Sequence, residues 1–259
     1  MTLGPTAPLG LGYACFAIAW LLYVAGLTRR DVYLGWLGAW VQAAGVVLWL
    51  GGLLWQFIAP GAWPPDLQPR DIALWWAPSS VAVVLLLERR RRTQAVPAFA
   101  LVIALVVGGL ALLAPETLGS APPVSEPRDV WHAAYVGLAV IGYSALAVTG
   151  AIGVMALARF LPPHWGVADH LPPEDALARL ARRNVSWSLL ALTLALAAGA
   201  AGSWLADGQV WSWTAGQVWM LAVWAAYGAL LHFGPFRAWP VADILGLILI
   251  RFGVVTLLK

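Results

Sequence analysis

The sequence predicts an all-α integral membrane protein, a polytopic bundle of eight transmembrane helices with both termini on the extracytoplasmic side. Three observations predict it. Hydrophobic residues make up 61% of the 259-residue chain and charged ones 10%, against roughly 25% charged residues in a soluble domain. Apolar windows long enough to cross a bilayer recur from one end of the chain to the other. The arginines fall in every second connection.

A helix needs about 20 apolar residues to cross a hydrocarbon core of about 30 Å. Such windows run over residues 8–27, 33–58, 72–87, 97–114, 130–158, 184–206, 215–233 and 240–258. The opening MTLGPTAPLG has no basic side chain and leads into a full-length span, so the first helix reads as retained rather than as a cleaved signal. The third window is the shortest and carries Pro78. Between the fifth and sixth, LPPEDALARLARR at 171–183 is too polar to cross. Its prolines, early acids and later arginines predict a separate amphipathic helix lying at the membrane surface. The proline-rich connection 115–129 divides four N-terminal helices (1–114) from four C-terminal ones (129–259) within a single transmembrane domain over 1–259.

Orientation follows from the basic residues. Arg29 and Arg30, the run Arg89 to Arg92, then Arg159, Arg179, Arg182 and Arg183, and finally Arg237 occupy alternate connections, eleven of the fifteen basic residues. By the positive-inside rule that side is cytoplasmic, and the termini and the stretch WLADGQVWSWTAGQVW at 204–219 face outward. The implied setting is a bacterial-type inner (cytoplasmic) membrane. The net charge of +3 thus reflects topology and the lipid bilayer, and no nucleic acid partner is expected. Cys15, the single cysteine, sits inside the first span, which excludes an intramolecular disulfide and a cysteine-built metal site.

Several residues stand out as polar or aromatic beyond what spanning requires. His132 opens the fifth span and His232 stands near the end of the seventh; a ligand role and a structural one are both open for each. About 17 residues and some 25 Å separate His232 from the outer end of its helix, so the two cannot share a metal ion. His164 and His170 read as solvated residues of a cytoplasmic connection. Trp204, Trp211, Trp213 and Trp219 crowd one outer break, followed by Trp224. They form either an interfacial belt or a platform for a large apolar planar ligand. Arg251, near mid-membrane in the last window, needs a ligand carboxylate, backbone carbonyls or Asp243 as partner, and Gln42 is a buried amide in want of one.

The stretch WSWTAGQVWMLAVWAAYGALLHFGPFR resembles the tryptophan-rich signature of the cytochrome c assembly proteins of the CcsA and HemX type. Trp211, Ser212, Trp213 and Trp219 fall on its tryptophan–serine positions, and Gly208, Tyr227 and His232 on its glycine, tyrosine and histidine. DVWHAAYVGLAVIGYSALAV is similar to the family's outer histidine helix, with His132 on the ligand position and Gly142 and Tyr143 on a recurrent pair.

The resemblance implies handling of heme, b-type and non-covalently held, rather than enzymatic catalysis. Heme would be held at the outer face for delivery to apocytochrome c, with another cytochrome c assembly membrane protein as partner. His132 is then an axial ligand, Trp204, Trp211, Trp213 and Trp219 the apolar platform, Tyr143 and Arg251 supporting residues, and His232 an inner ligand. The family's D-P-K-E element stands here as Thr214, Ala215, Gly216 and Gln217. Gln42 takes the place of an intramembrane histidine, and Lys259 falls close to where a second outer histidine is expected. Two other functions fit the fold: a HemX-like scaffold regulating heme synthesis, and a permease for another amphipathic molecule.

Overall fold

The computed structural model describes residues 7–58, 69–88, 94–113, 130–159, 168–211 and 213–233. Seven α-helices follow in order over them: α1 Ala7–Arg29, α2 Val32–Ile58, α3 Pro69–Glu88, α4 Ala95–Leu113, α5 Val130–Ala158, α6 Glu174–Asp207 and α7 Ala215–Phe233, with a 3₁₀ turn, Ala168–His170, before α6. Helices α1 to α6 are long and apolar enough to cross a membrane, and the protein is a multi-pass membrane protein. Helix α7 falls outside that set, its hydropathy lowered by Gln217, Trp219, Trp224, Tyr227 and His232. The expected span 240–258, with Arg251, and the connection 115–129 lie outside the described residues.

Helices α1 and α2 form a hairpin around a turn of few residues. Arg30 adopts the left-handed conformation, φ 56°, and the Asp31 amide donates to the Gly26 carbonyl at 2.9 Å, closing α1 in the manner of a Schellman cap. The Asp31 carboxylate then accepts from the Tyr33 amide at 2.8 Å, so the same residue caps the start of α2. The helices meet through small residues seven apart, Gly12, Ala19 and Gly26 on α1 against Gly38, Gly45 and Gly52 on α2. A Cβ on Gly12 would lie 2.9 Å from Trp49, one on Gly45 2.8 Å from the Phe16 ring, and one on Gly52 2.9 Å from Pro8. Helices surrounded by lipid gain nothing from hiding apolar surface from each other, and close approach over small residues supplies the dispersion contact instead.

Helix α3 contains Pro78, which has no amide to bond the Leu74 carbonyl. The Trp49 indole N–H donates to that carbonyl at 2.9 Å, so a neighbouring helix satisfies the group the proline left open. Gln42, fully buried, donates its amide to the Val81 carbonyl at 3.0 Å, which answers where that polar side chain finds a partner. One face of α3, with Leu74, Ala77 and Val81, belongs to the core shared with α1, α2 and α4. The other, with Ile72 and Trp76, belongs to the core of α5, α6 and α7.

Helix α5 is the most enclosed, buried along nearly its whole length from Tyr135 to Ala156. A polar ladder fastens it to α6: Asn184 Nδ2 donates to the Ala145 carbonyl and, at 2.8 Å, to Thr149 Oγ1, and Ser188 Oγ donates to the Gly142 carbonyl at 2.8 Å. Ser144 adds a bond from α5 to the Trp76 carbonyl of α3 at 3.3 Å.

The structure corrects one expected element. Residues 171–183 do not form a separate surface helix; from Glu174 onward they are the first turns of α6, a helix of 34 residues and about 51 Å. Nothing between Arg183 and Asn184 breaks a helix, and Leu177, Leu180 and Ala181 are buried in the same core as Met155 and Ala156. The apolar stripe read as membrane-facing is taken up by protein. Arg159 ties the junction, donating to the Leu171 and Pro172 carbonyls at 3.2 and 2.8 Å.

The glycine contacts give a direct test. Gly45→Ala places a methyl 2.8 Å from Phe16 and 2.9 Å from Cys15 and is expected to destabilise the protein by about 1–3 kcal/mol, the usual cost of overpacking. Gly51→Ala, whose Cβ would meet nothing within 4 Å, is expected to leave the melting temperature in detergent unchanged or raise it.

Candidate functional site

The first turn of α5, the last turns of α6 and the first turn of α7 converge at one end of the bundle. Each helix is positioned there by small residues. A Cβ on Gly199 of α6 would lie 3.0 Å from the Tyr135 ring, and 3.5 Å from Gln217 of α7; one on Gly202 would lie 3.2 Å from Trp131 Cβ. His132 stands exposed in this turn of α5, its ring 6.3 Å from that of Tyr135.

The tryptophan-rich break is held from both sides. Helix α6 ends at Gly208, which takes the left-handed conformation at φ 68° and donates its amide to the Trp204 carbonyl, a geometry glycine adopts without steric cost. Helix α7 begins with Thr214 as its N-cap: its hydroxyl accepts from the Gln217 amide at 3.4 Å and its carbonyl from Val218 at 3.0 Å. Thr-x-x-Gln is a capping-box spacing, and the D-P-K-E pattern has the same form. The replacement therefore removes charge and keeps the helix start. The Gln217 side-chain amide reaches across to Ser203 Oγ of α6 at 3.5 Å. A reading of charge alone misses this; the three-residue spacing was the available signal.

Between these caps Trp211 and Trp213 pack edge to face, ring centroids 6.2 Å apart at 75°. Trp213 has φ 53°, a left-handed backbone that costs a non-glycine residue about 1–2 kcal/mol, and its indole is 73% exposed. Trp211 is half-buried, and its indole N–H is enclosed with no acceptor among the described residues. Trp204 is exposed on the last turn of α6, and Trp219 packs on the core of α5 to α7. Trp131, Tyr135, Gly199 and Ser203 belong to this end of the bundle and were not singled out in the sequence, because only packing brings them there.

The other predicted residues lie elsewhere. Tyr143 is buried about 16 Å along α5 from His132, at 1% exposure and with no partner for its hydroxyl among the described residues. His232 is exposed at the far end of α7, with its Nδ1 2.8 Å from the Gly228 carbonyl. A carbonyl only accepts, so Nδ1 carries the proton in that bond. Tyr227 is buried in the α5–α7 core. Trp224 donates to Thr193 Oγ1 at 2.9 Å, fastening α7 to α6. Among the described residues no three histidines, cysteines or acids converge on a metal-sized point.

The cap makes a prediction of its own. Thr214→Ala removes the acceptor for the Gln217 amide and is expected to cost about 1 kcal/mol. It should appear as faster amide hydrogen exchange over residues 215–218, and Thr214→Asp is expected to restore the wild-type rate.

Comparison with known proteins bears on this region. The cytochrome C assembly protein family matches residues 70–259. A cytochrome c biogenesis protein CcsA of Synechococcus sp. (strain RCC307) is 27% identical over 229 residues, covering 77% of this chain and 72% of that protein. Those of Prochlorococcus marinus strains MIT 9313 and NATL2A are 28% and 27% identical over 186 residues, covering 60% of this chain and 58% and 59% of their own lengths. The latter two matches thus span less than two thirds of the relatives they align with. With the matched region taking in α3 to α7 and the capped tryptophan break, the chain belongs to the cytochrome C assembly protein family.

Proposed function

We propose that this protein holds or passes heme in cytochrome c biogenesis, at the end of the bundle where α5, α6 and α7 converge. The observation that carries the reading is the pairing of an exposed imidazole, His132, with a break whose indoles are fixed by a cap on either side. An apolar macrocycle with acidic substituents fits that chemistry. Trp211 and Trp213 offer rigid apolar surface at little entropic cost. His132 would hold the heme iron through its imidazole, and a single protein ligand suits cargo that is handed on. The strained backbone at Trp213 is read as preorganisation, keeping the indole outward for its ligand.

In this reading the heme is non-covalently held, b-type cargo destined for apocytochrome c, and another cytochrome c assembly membrane protein completes the coordination. His232 serves as an inner ligand. Arg251 answers a ligand carboxylate. The full membrane layout has eight helices, both termini outside, and the tryptophan break on the extracytoplasmic side of a bacterial-type inner membrane.

The purified protein is expected to show a Soret band or to acquire one with added hemin. His132→Ala is expected to weaken hemin binding on the order of tenfold or more, since even outer partners of a metal ligand act on that scale. No band in the wild type even with hemin sinks the proposal, and loss on His232→Ala with retention on His132→Ala moves the site to the other end. For the orientation, single cysteines at Ser125 and Thr93 in a Cys15→Ala background are expected to react with impermeant reagent from outside and only after permeabilisation, respectively; the reverse pattern inverts the layout.

A further inference from the structure

Two clefts at the end of the bundle opposite the tryptophan break share a wall. One, of about 810 Å³, runs between α2 and α3 and is lined chiefly by Tyr33, Trp36, Trp40, Ala43, Leu85 and Leu86. The other, of about 550 Å³, lies where the end of α1 meets the approach to α6 and is lined in part by Arg30, Asp169, His170 and Pro172. Val32 and Gln94 line both, so an apolar groove adjoins a polar one.

We propose that the joined clefts bind one anionic phospholipid, its phosphate on Arg30 and an acyl chain laid along the aromatic face of α2. Three features of the site select that occupant. First, the apolar part opens sideways: Trp36, Trp40 and Leu86 are more than half exposed, and at the level of a membrane-spanning segment the medium reaching them is lipid. Second, the groove has the length of one leaflet. Val32 to Ala43 is eleven residues, about 16 Å along the helix, against half of a hydrocarbon core of about 30 Å. Tyr33 and Trp36 stack at 5.9 Å and Trp36 and Trp40 meet edge to face at 6.0 Å, a continuous wall for one chain.

Third, the polar end carries cation at the depth of a head group. Arg29 and Arg30 are exposed in the α1–α2 turn. One Asp31 carboxylate oxygen is engaged as the α2 cap, and its carbonyl accepts from Gln94 Nε2 at 2.9 Å. Arg30 lines the polar cleft together with Asp169 and His170, and its guanidinium is the group there that answers a phosphate. Basic pockets at helix ends recognise anionic head groups in this way. Arg30 also holds a left-handed position, φ 56°, at the cap site where glycine is the usual choice. A side chain retained at a strained position points to a use for it.

The strain provides a clean variant, because Arg30→Gly removes the charge while relieving the backbone. Native mass spectrometry of the detergent-solubilised full chain would compare phosphatidylglycerol with phosphatidylcholine of the same chains. The expected result is a persistent one-to-one phosphatidylglycerol adduct in the wild type. It should be at least several-fold weaker in Arg30→Gly, retained in Arg30→Lys, and reduced in Ala43→Phe, which fills the groove. Thermal melting of each variant separates lost binding from lost fold. Inorganic phosphate is expected not to displace the lipid; displacement by phosphate alone would reduce the site to a free-anion site and overturn the proposal. Equal adducts with both lipids, indifference to Arg30→Gly, or displacement by hemin would overturn it as well, the last by assigning the groove to heme. Because the readout is lipid mass at Arg30, its failure is distinguishable from failure of hemin binding at His132.

Discussion

Helices inside a bilayer cannot be driven together by hiding leucine from water, because the surroundings are as apolar as the leucine. This protein's architecture depends on what replaces that force, which is close approach over small residues and hydrogen bonds between helices. In α1 and α2 the first device dominates, with glycines seven apart meeting Trp49, Phe16 and Pro8. In α5 and α6 the second does, with Asn184 and Ser188 bonded to carbonyls of the facing helix. Pro78 shows both at once: the carbonyl it frees is answered by Trp49, the side chain that packs against Gly12.

The candidate site inherits its rigidity from this arrangement. Helix α5 is enclosed by α3 and α6 over most of its length, so His132 in its first turn projects from the most deeply packed of the described helices. The break that faces it is short and closed at both ends, by a left-handed glycine and by a threonine cap. A loop constrained in that way can hold indoles outward against the tendency of large aromatic rings to bury themselves, and Trp213 with its positive φ bears the cost.

The two histidines that resemble ligands lie on different elements at opposite ends of the bundle, and each is presented differently. His132 is placed by packing of its helix, through Tyr135 against Gly199. His232 is oriented by a bond to its own helix at Gly228. The groove along α2 is a third, separate feature, and it shares no residue with either.

The sequence by itself determined the class, because crossing a bilayer imposes a length and a composition that can be read locally: the windows for α1 to α6, the arginine pattern and the tryptophan break are all properties of contiguous residues. It also carried the family resemblance, since W-S-W and the following tyrosine and histidine keep their spacing. What only the tertiary structure decided is relational. That residues 174–183 extend α6 follows from Leu177 and Leu180 finding a protein partner, which amphipathic periodicity cannot distinguish from a lipid one. That the Gln42 amide finds the Val81 carbonyl, and that T-A-G-Q keeps a helix start rather than abolishing a charged site, depend on which groups lie opposite. Hydrogen bonds and burial join residues far apart in the chain, and a local pattern records that such partners are needed without saying which they are.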